Sequence, residues 1–135
     1  MIFVDSWVWI EFFAADDRWR DAEAVLERIP ERGGVVATTV LMEVRYRIGE
    51  KFDAERAERV VGTIQRFEEL EVVPITADAA LTAARLREKY YQRGERELSY
   101  ADAIHLALAM MTGCETLFSG DPDFEGLDEI ETEVI

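Results

Sequence analysis

The sequence predicts an α/β fold, a mostly parallel sheet of about four to five strands flanked by helices. Three observations lead there. Short apolar or β-branched runs alternate with longer segments of helical periodicity along the chain. The runs at Met1–Val4 and Val35–Thr38 are apolar without alternation, the pattern of strands covered on both faces. The 135 residues contain no linker, repeat or low-complexity segment, which suits one domain, residues 1–135, with one core.

Taken in order, Met1–Val4 reads as a buried strand, and Ser6 to about Ala14 as a helix apolar almost all round. Asp17–Ile29 has helical spacing through Trp19, Ala22, Val25, Leu26 and Ile29, and Pro30 is expected to stop it. Gly33-Gly34 makes a turn into the strand Val35–Thr38. A helix follows from near Thr39 to about Gly49. Ala54–Leu70 is a long amphipathic helix and Glu71–Ile75 a strand. Thr76 opens the next helix, which Gly94 is expected to close. Ser99–Thr112 is apolar on nearly every face, so it belongs in the centre. Thr116–Ser119 is a strand, Gly120–Phe124 a turn, and Glu131–Ile135 a last edge strand.

Composition narrows the class. A hydrophobic share of 49% is that of a packed domain rather than a disordered chain. The apolar start is interrupted by Asp5 and Glu11 and has no basic region before it, so no signal peptide is expected. No apolar run reaches the length of about 18 residues that a membrane helix needs, and the single Cys114 has no internal partner. A cytoplasmic location is the expectation. The net charge is −14, from 29 acids against 15 bases, and 13 of those bases are Arg. Self-repulsion at this charge is relieved by salt, which points towards a halophilic cytoplasm.

Four of the acids stand where a buried element meets the start of a helix: Asp5 after IFV, Glu43 in VVATTVLMEV, Asp102 in LSYADAIHLALAMM and Asp121 in TLFSGDPDF. Each has a structural reading of its own. Asp5 suits an N-cap, and Glu43 the first turn of its helix. Ser99 to Asp102 resembles a capping box, and Asp121-Pro122 an N-cap with Pro at the first helical position. None of these readings explains why all four fall on one edge. In a parallel sheet the carboxyl ends of the strands share an edge, and ligands bind in the crevice there. Two carboxylates about 4 Å apart repel by about 4 kcal/mol at a dielectric near 20, so a cluster needs protons or a cation. Oxygen-only donors suit Mg²⁺ or Mn²⁺ rather than zinc, and such a cation suits phosphodiester hydrolysis.

The start VDSWVWIEFF, the Thr-Thr-x-x-x-Glu at Thr38–Glu43, LSYADAIHLALA and SGDPDF together resemble the PIN-domain ribonucleases, most of all the VapC toxins of toxin–antitoxin pairs. The resemblance covers essentially the whole chain. It implies a three-layer PIN-like fold and an endoribonuclease that uses Mg²⁺ (or Mn²⁺) to cut RNA. Asp5, Glu43, Asp102 and Asp121 would be its catalytic and metal-holding residues, with Asp123 an outer acid and Ser6 and Ser119 orienting a carboxylate or water. It also implies a homodimer and a small antitoxin protein filling a groove near the first helices. One position departs: Trp7 stands where such proteins have a small or polar residue. A ring there either borders the acids and stacks on a base, or turns into the core, the reading favoured by an apolar helix.

Arg45 and Arg47, just past Glu43, are the best candidates for contact with RNA phosphates. His105 is the only histidine, one turn after Asp102; its neighbours Ile104, Leu106 and Ala107 favour a partly buried structural role. No nucleophile elbow, phosphate loop or dinucleotide motif is present. Three other functions fit the same acids: a PIN nuclease of RNA processing or ribosomal RNA maturation, an inactive binding module, and an acidic metal-binding or phospho-acceptor signalling domain. The last wants an acidic pair after the first strand and a suitably placed Lys, and the chain offers neither.

Overall fold

A computed structural model describes residues 1–135. Five strands form one sheet in the order β3-β2-β1-β4-β5, every neighbouring pair parallel. They are β1 (Ile2–Val4), β2 (Gly34–Ala37), β3 (Leu70–Val73), β4 (Thr116–Ser119) and β5 (Glu131–Val134). Seven α-helices connect them: α1 (Ser6–Phe13), α2 (Trp19–Leu26), α3 (Ile29–Arg32), α4 (Thr38–Lys51), α5 (Ala54–Gln65), α6 (Ala77–Tyr90) and α7 (Tyr100–Met111). A single 3₁₀ turn, Pro122–Phe124, stands between β4 and β5. The predicted parallel α/β sheet with about four to five strands is therefore the fold.

β1, β2 and β4 are buried at every position, as strands covered on both faces must be. The edge strands β3 and β5 are partly exposed, and Glu131 and Glu133 put charge on the outer edge, which discourages further pairing. The core is one cluster of 34 buried residues, with Trp9, Phe3, Phe118 and Phe124 its bulkiest members. α7 crosses the middle of the sheet and touches β1, β2 and β4, the central place its all-round apolar character requires. No helix is long and apolar enough to cross a membrane.

Several boundaries differ from the sequence reading, each for a physical reason. Pro30 does not end the second helix, which stops at Leu26. It occupies the second position of α3, where a missing N–H leaves no bond unmade. α5 ends at Gln65 rather than Leu70, because Glu69 turns left-handed (φ 59°) and its carbonyl accepts from the Gly34 N–H at 2.8 Å. Pairing with β2 then claims Leu70 as the first residue of β3. A side chain at Gly34 would meet Leu70 and Ile29 within 3.0 Å, so glycine is what lets these elements close up. α6 ends at Tyr90, and Gly94 (φ 80°) instead forms the tip of a small turn bridged by Gln92 and Arg96.

Chain order reverses between β1 and β4: β2 and β3 lie to one side of β1, β4 and β5 to the other. The segments leaving the carboxyl ends of β1 and β4 diverge there and open a crevice.

Candidate active site

The crevice is a cavity of about 480 Å³ lined by Asp5, Glu43, Asp102 and Asp121, together with Ser6, Trp7, Ile10, Met42, Tyr46 and Arg47. Four acids spread over the whole chain thus face one space. Asp5 is the residue after β1, Asp121 follows β4, and Glu43 and Asp102 stand near the starts of α4 and α7. An apolar hollow of similar size between α6 and α7 contains none of these acids.

Asp5 is buried, and its side chain does not cap α1. Its Oδ1 accepts from His105 Nδ1 at 2.7 Å and its Oδ2 from the Ser119 hydroxyl at 2.7 Å. Ser119 Oγ also accepts from the Asp121 N–H at 3.1 Å, so one hydroxyl joins the ends of β1 and β4. Glu43 is not in the first turn of α4; it lies one turn further in, where its Oε1 accepts from the Ser6 hydroxyl at 3.1 Å. The expected carboxylate-orienting roles for Ser6 and Ser119 thus have matching contacts. Asp102 does belong to a capping box with Ser99, and Asp121 does cap the 3₁₀ turn through the Asp123 N–H at 2.9 Å. For these two acids, capping and facing the cavity are compatible.

His105 is fully buried against Phe3, with ring centroids 5.6 Å apart. The expected burial is exceeded, and the residue is more than core. Besides Asp5 it meets Thr39 Oγ1 at 2.8 Å through Nε2, and Glu43 Oε1 lies 3.6 Å from that nitrogen. Candidate ligand atoms of Asp5, Asp102 and His105 all fall within 4.8 Å of one another. Both ring nitrogens of His105 are already engaged, so the carboxylates are the better donors.

The titration behaviour records the crowding. Burial pushes Asp102 up, the charges of Asp5 and Asp121 add to it, and its carboxyl reaches about 7. Glu43 is raised by burial and by Asp5, against His105 and Ser6. Asp121 is raised by burial and by the charges of Asp123 and Asp5. Asp5 alone goes down: burial opposes its charge, but the His105 contact and the Ser119 and Ser6 hydrogen bonds outweigh it. His105 is raised, because Asp5, Glu43 and Asp102 overcome the cost of burying its cation. Three carboxyls pushed upward around one held ionised form a donor set short of positive charge. That charge and the all-oxygen donors fit a hard divalent cation.

Other expected residues divide. Asp123 does not line the cavity; it acts on Asp121 through its backbone and its charge. Arg47 lines the cavity, whereas Arg45 is paired with Glu58 at 2.7 Å and is not part of the lining. Trp7 is not among the buried core residues; it is partly buried and packs against the core's edge. It borders the cavity and lies flat on Gly120, so close that an added Cβ would sit 2.1 Å from the ring. Trp9 takes the core position instead. No site role was assigned to Thr39, Met42 or Tyr46 from the sequence, although Thr39 belongs to the Thr-Thr-x-x-x-Glu segment. Thr39 and Glu43 are four residues apart on one helix, as are Met42 and Tyr46, and that shared-face spacing is the signal that could have pointed to them.

The family model for the PIN domain matches residues 2–130. No curated protein matches the sequence. Among solved structures the chain is similar to VapC20 of Mycobacterium tuberculosis, described as a sarcin-ricin loop cleaving toxin. The identity is 24% and the TM-score 0.79, over 96% of this chain and 98% of that one. It is similar to VapBC2 from Rickettsia felis, bound to a DNA fragment from their promoter, with 17% identity and a TM-score of 0.75 over 99% of this chain and 98% of that one. A toxin–antitoxin complex from Klebsiella pneumoniae matches at 23% identity and a TM-score of 0.73, over 100% of both chains. At these identities the likeness establishes the fold.

Proposed function

The chain belongs to the PIN domain family, and from that membership we propose that it is a divalent-cation-dependent endoribonuclease and the toxin of a toxin–antitoxin pair, with residues 1–135 acting as one domain. The observation that carries the reading is the convergence of Asp5, Glu43, Asp102 and Asp121 on one cavity at the switch point of the sheet. These four would hold Mg²⁺ or Mn²⁺, which supplies charge neutralisation at the phosphodiester and a lowered pKa for the attacking water. The remaining roles fall to the chain's own side chains. Ser119 orients Asp5, and Ser6 orients Glu43. Arg47 offers the cavity its one cation besides the metal and is placed for an RNA phosphate. Trp7 and Tyr46 give the same cavity aromatic surfaces on which an unstacked base can lie, which favours single-stranded or loop RNA.

The toxin assignment draws on the similar proteins being toxins or toxin–antitoxin complexes. The proposed partners are a small antitoxin protein and a second copy of the chain, in the cytoplasm. The test is direct. Purified protein is expected to cleave RNA with Mg²⁺ or Mn²⁺ and to stop with EDTA. Asp5→Asn removes cleavage while circular dichroism shows the fold retained, because a ligand charge is lost and repulsion among the acids is relieved. Wild-type cleavage by the Asn variant overturns the assignment.

A further inference from the structure

We propose that His105 is a positioning residue for cation binding, clamping the Asp5 carboxylate from behind while Thr39 holds the imidazole in turn. The inference rests on the reading that the acidic cavity binds a divalent cation. It starts from an oddity of α7. The residues around His105, namely Leu106, Ala107, Leu108 and Ala109, are buried and apolar, and by that pattern alone an apolar side chain would be expected at 105. A fully buried imidazole is costly unless both nitrogens are satisfied. Here both are, and neither by local backbone: Nδ1 meets Asp5 Oδ1 at 2.7 Å, 100 residues away, and Nε2 meets Thr39 Oγ1 at 2.8 Å, 66 residues away.

The proton arrangement follows from chemistry. An ionised carboxylate only accepts, so the Nδ1 hydrogen points to Asp5. With Ser119 donating to Oδ2 and the Ser6 N–H donating to the same carboxylate, both Asp5 oxygens are held from the protein side, and a carboxylate's remaining acceptor capacity is left for a cation. The clamp also spans the elements that carry the acids. Asp5 follows β1, Thr39 lies one turn before Glu43 on α4, and His105 lies one turn after Asp102 on α7. One imidazole therefore ties together the segments that place three of the four carboxylates. Because its two nitrogens are engaged and its surface is wholly covered, His105 itself acts through Asp5 rather than as a ligand.

The test is a Mn²⁺ titration followed by the electron paramagnetic resonance of free Mn²⁺, on full-length wild type, His105→Leu, His105→Asn and Thr39→Val, with Asp102→Asn as the ligand-loss control. Melting temperatures in EDTA are taken alongside. His105→Leu is expected to weaken Mn²⁺ binding about 10–100-fold. His105→Asn, whose amide N–H replaces the Nδ1 donor, keeps affinity close to wild type, and Thr39→Val falls between. A merely structural histidine lowers the melting temperature of the Leu variant and leaves Mn²⁺ affinity alone, which overturns the proposal. So does an Asn variant that binds as weakly as Leu. If His105→Leu does not fold, the Asn and Val variants still decide: undiminished affinity in Thr39→Val, or no retention in Asn, overturns it. If Asp102→Asn loses Mn²⁺ and His105→Leu does not, the clamp alone is wrong. If wild type binds no Mn²⁺, the cation reading and the clamp fall together.

Discussion

Asp102 holds the sharpest conflict in the molecule. It is tied to Ser99 at the head of α7, half-buried, and raised to about 7 by burial and by the charges of Asp5 and Asp121. Its ordinary value is about 3.9, so between about pH 4 and about pH 7 the unfolded chain has released a proton that the folded chain still holds. Stability is then highest at the acid end and falls as pH rises through that window. A cation replaces the proton and reverses the loss. Asp102→Asn is therefore expected to melt above wild type at pH 8 in EDTA, the gap closing as pH falls towards 4. Excess Mn²⁺ at pH 8 should raise the wild-type melting temperature and leave the variant nearly unmoved. Differential scanning calorimetry across this series checks both signs, and a variant that melts below wild type at pH 8 without metal contradicts the account. At this scale the acids were legible as a set, because four carboxylates at element junctions are visible in sequence. Asp5 and Glu43 have no capping role to explain them, whereas Asp102 and Asp121 combine capping with the site. The Asp5 contact of His105 was not legible. Its neighbours along the helix are core residues, and its partner lies at the other end of the chain.

Between elements, the contact that decides the shape of the site is α1 against the turn after β4. The Trp7 ring covers Gly120, the residue before Asp121, and a Cβ there would fall 2.1 Å from the ring. Glycine at 120 is required by this contact and not by backbone conformation, since its φ is not positive. Gly120→Ala should therefore displace Trp7 and cost about 1–3 kcal/mol, the usual range for overpacking. Trp7→Leu removes the obstruction, so Trp7→Leu/Gly120→Ala should lose less than the two single changes added together. Urea denaturation of the four proteins completes the cycle, and additive losses would show that the ring and the turn are independent. The order of strands and helices could be read from periodicity because apolar spacing is a local property. Trp7 was assigned to the core for want of that kind of signal: its neighbour is a glycine more than 110 residues later, and a glycine leaves no pattern to match. The far end of α5 fails for a related reason. Helical spacing continues through Phe67, but pairing of Leu70 with Gly34 in the sheet overrides it.

Over the whole molecule, charge and leftover apolar surface set the solution behaviour. At −14, folding gathers like charges, and screening shortens to about 3 Å at about 1 M salt. The melting temperature is expected to rise from low salt to molar KCl, and a flat or falling trend in a fluorescence melt removes the halophilic expectation. Screening also bears on association, because two such chains repel at a distance and must be held by specific contacts. The first helix, the obvious apolar source in sequence, offers less than its composition promises: Val8 and Trp9 are fully buried, and Trp7, Ile10, Phe12 and Phe13 are partly buried against the core. The surplus lies elsewhere. Tyr100 is 76% exposed beside the hollow between α6 and α7, whose floor is Ala80, Ala83, Ala84, Ala103 and Ile104. Small side chains there let a second copy's helix approach closely, and a two-fold pairing repeats the same patch on both sides. Arg87, stacked on Tyr91 and Tyr100 at 4.4 Å, adds positive charge at that face in a chain that is otherwise strongly acidic. We expect a dimer in molar KCl whose centre is this hollow, and Ala84→Glu, which places a charge in it, to give monomers with an unchanged fold. Light scattering at micromolar concentration reads both: a monomer mass for wild type overturns the dimer, and a dimer that survives Ala84→Glu moves its interface away from α6 and α7.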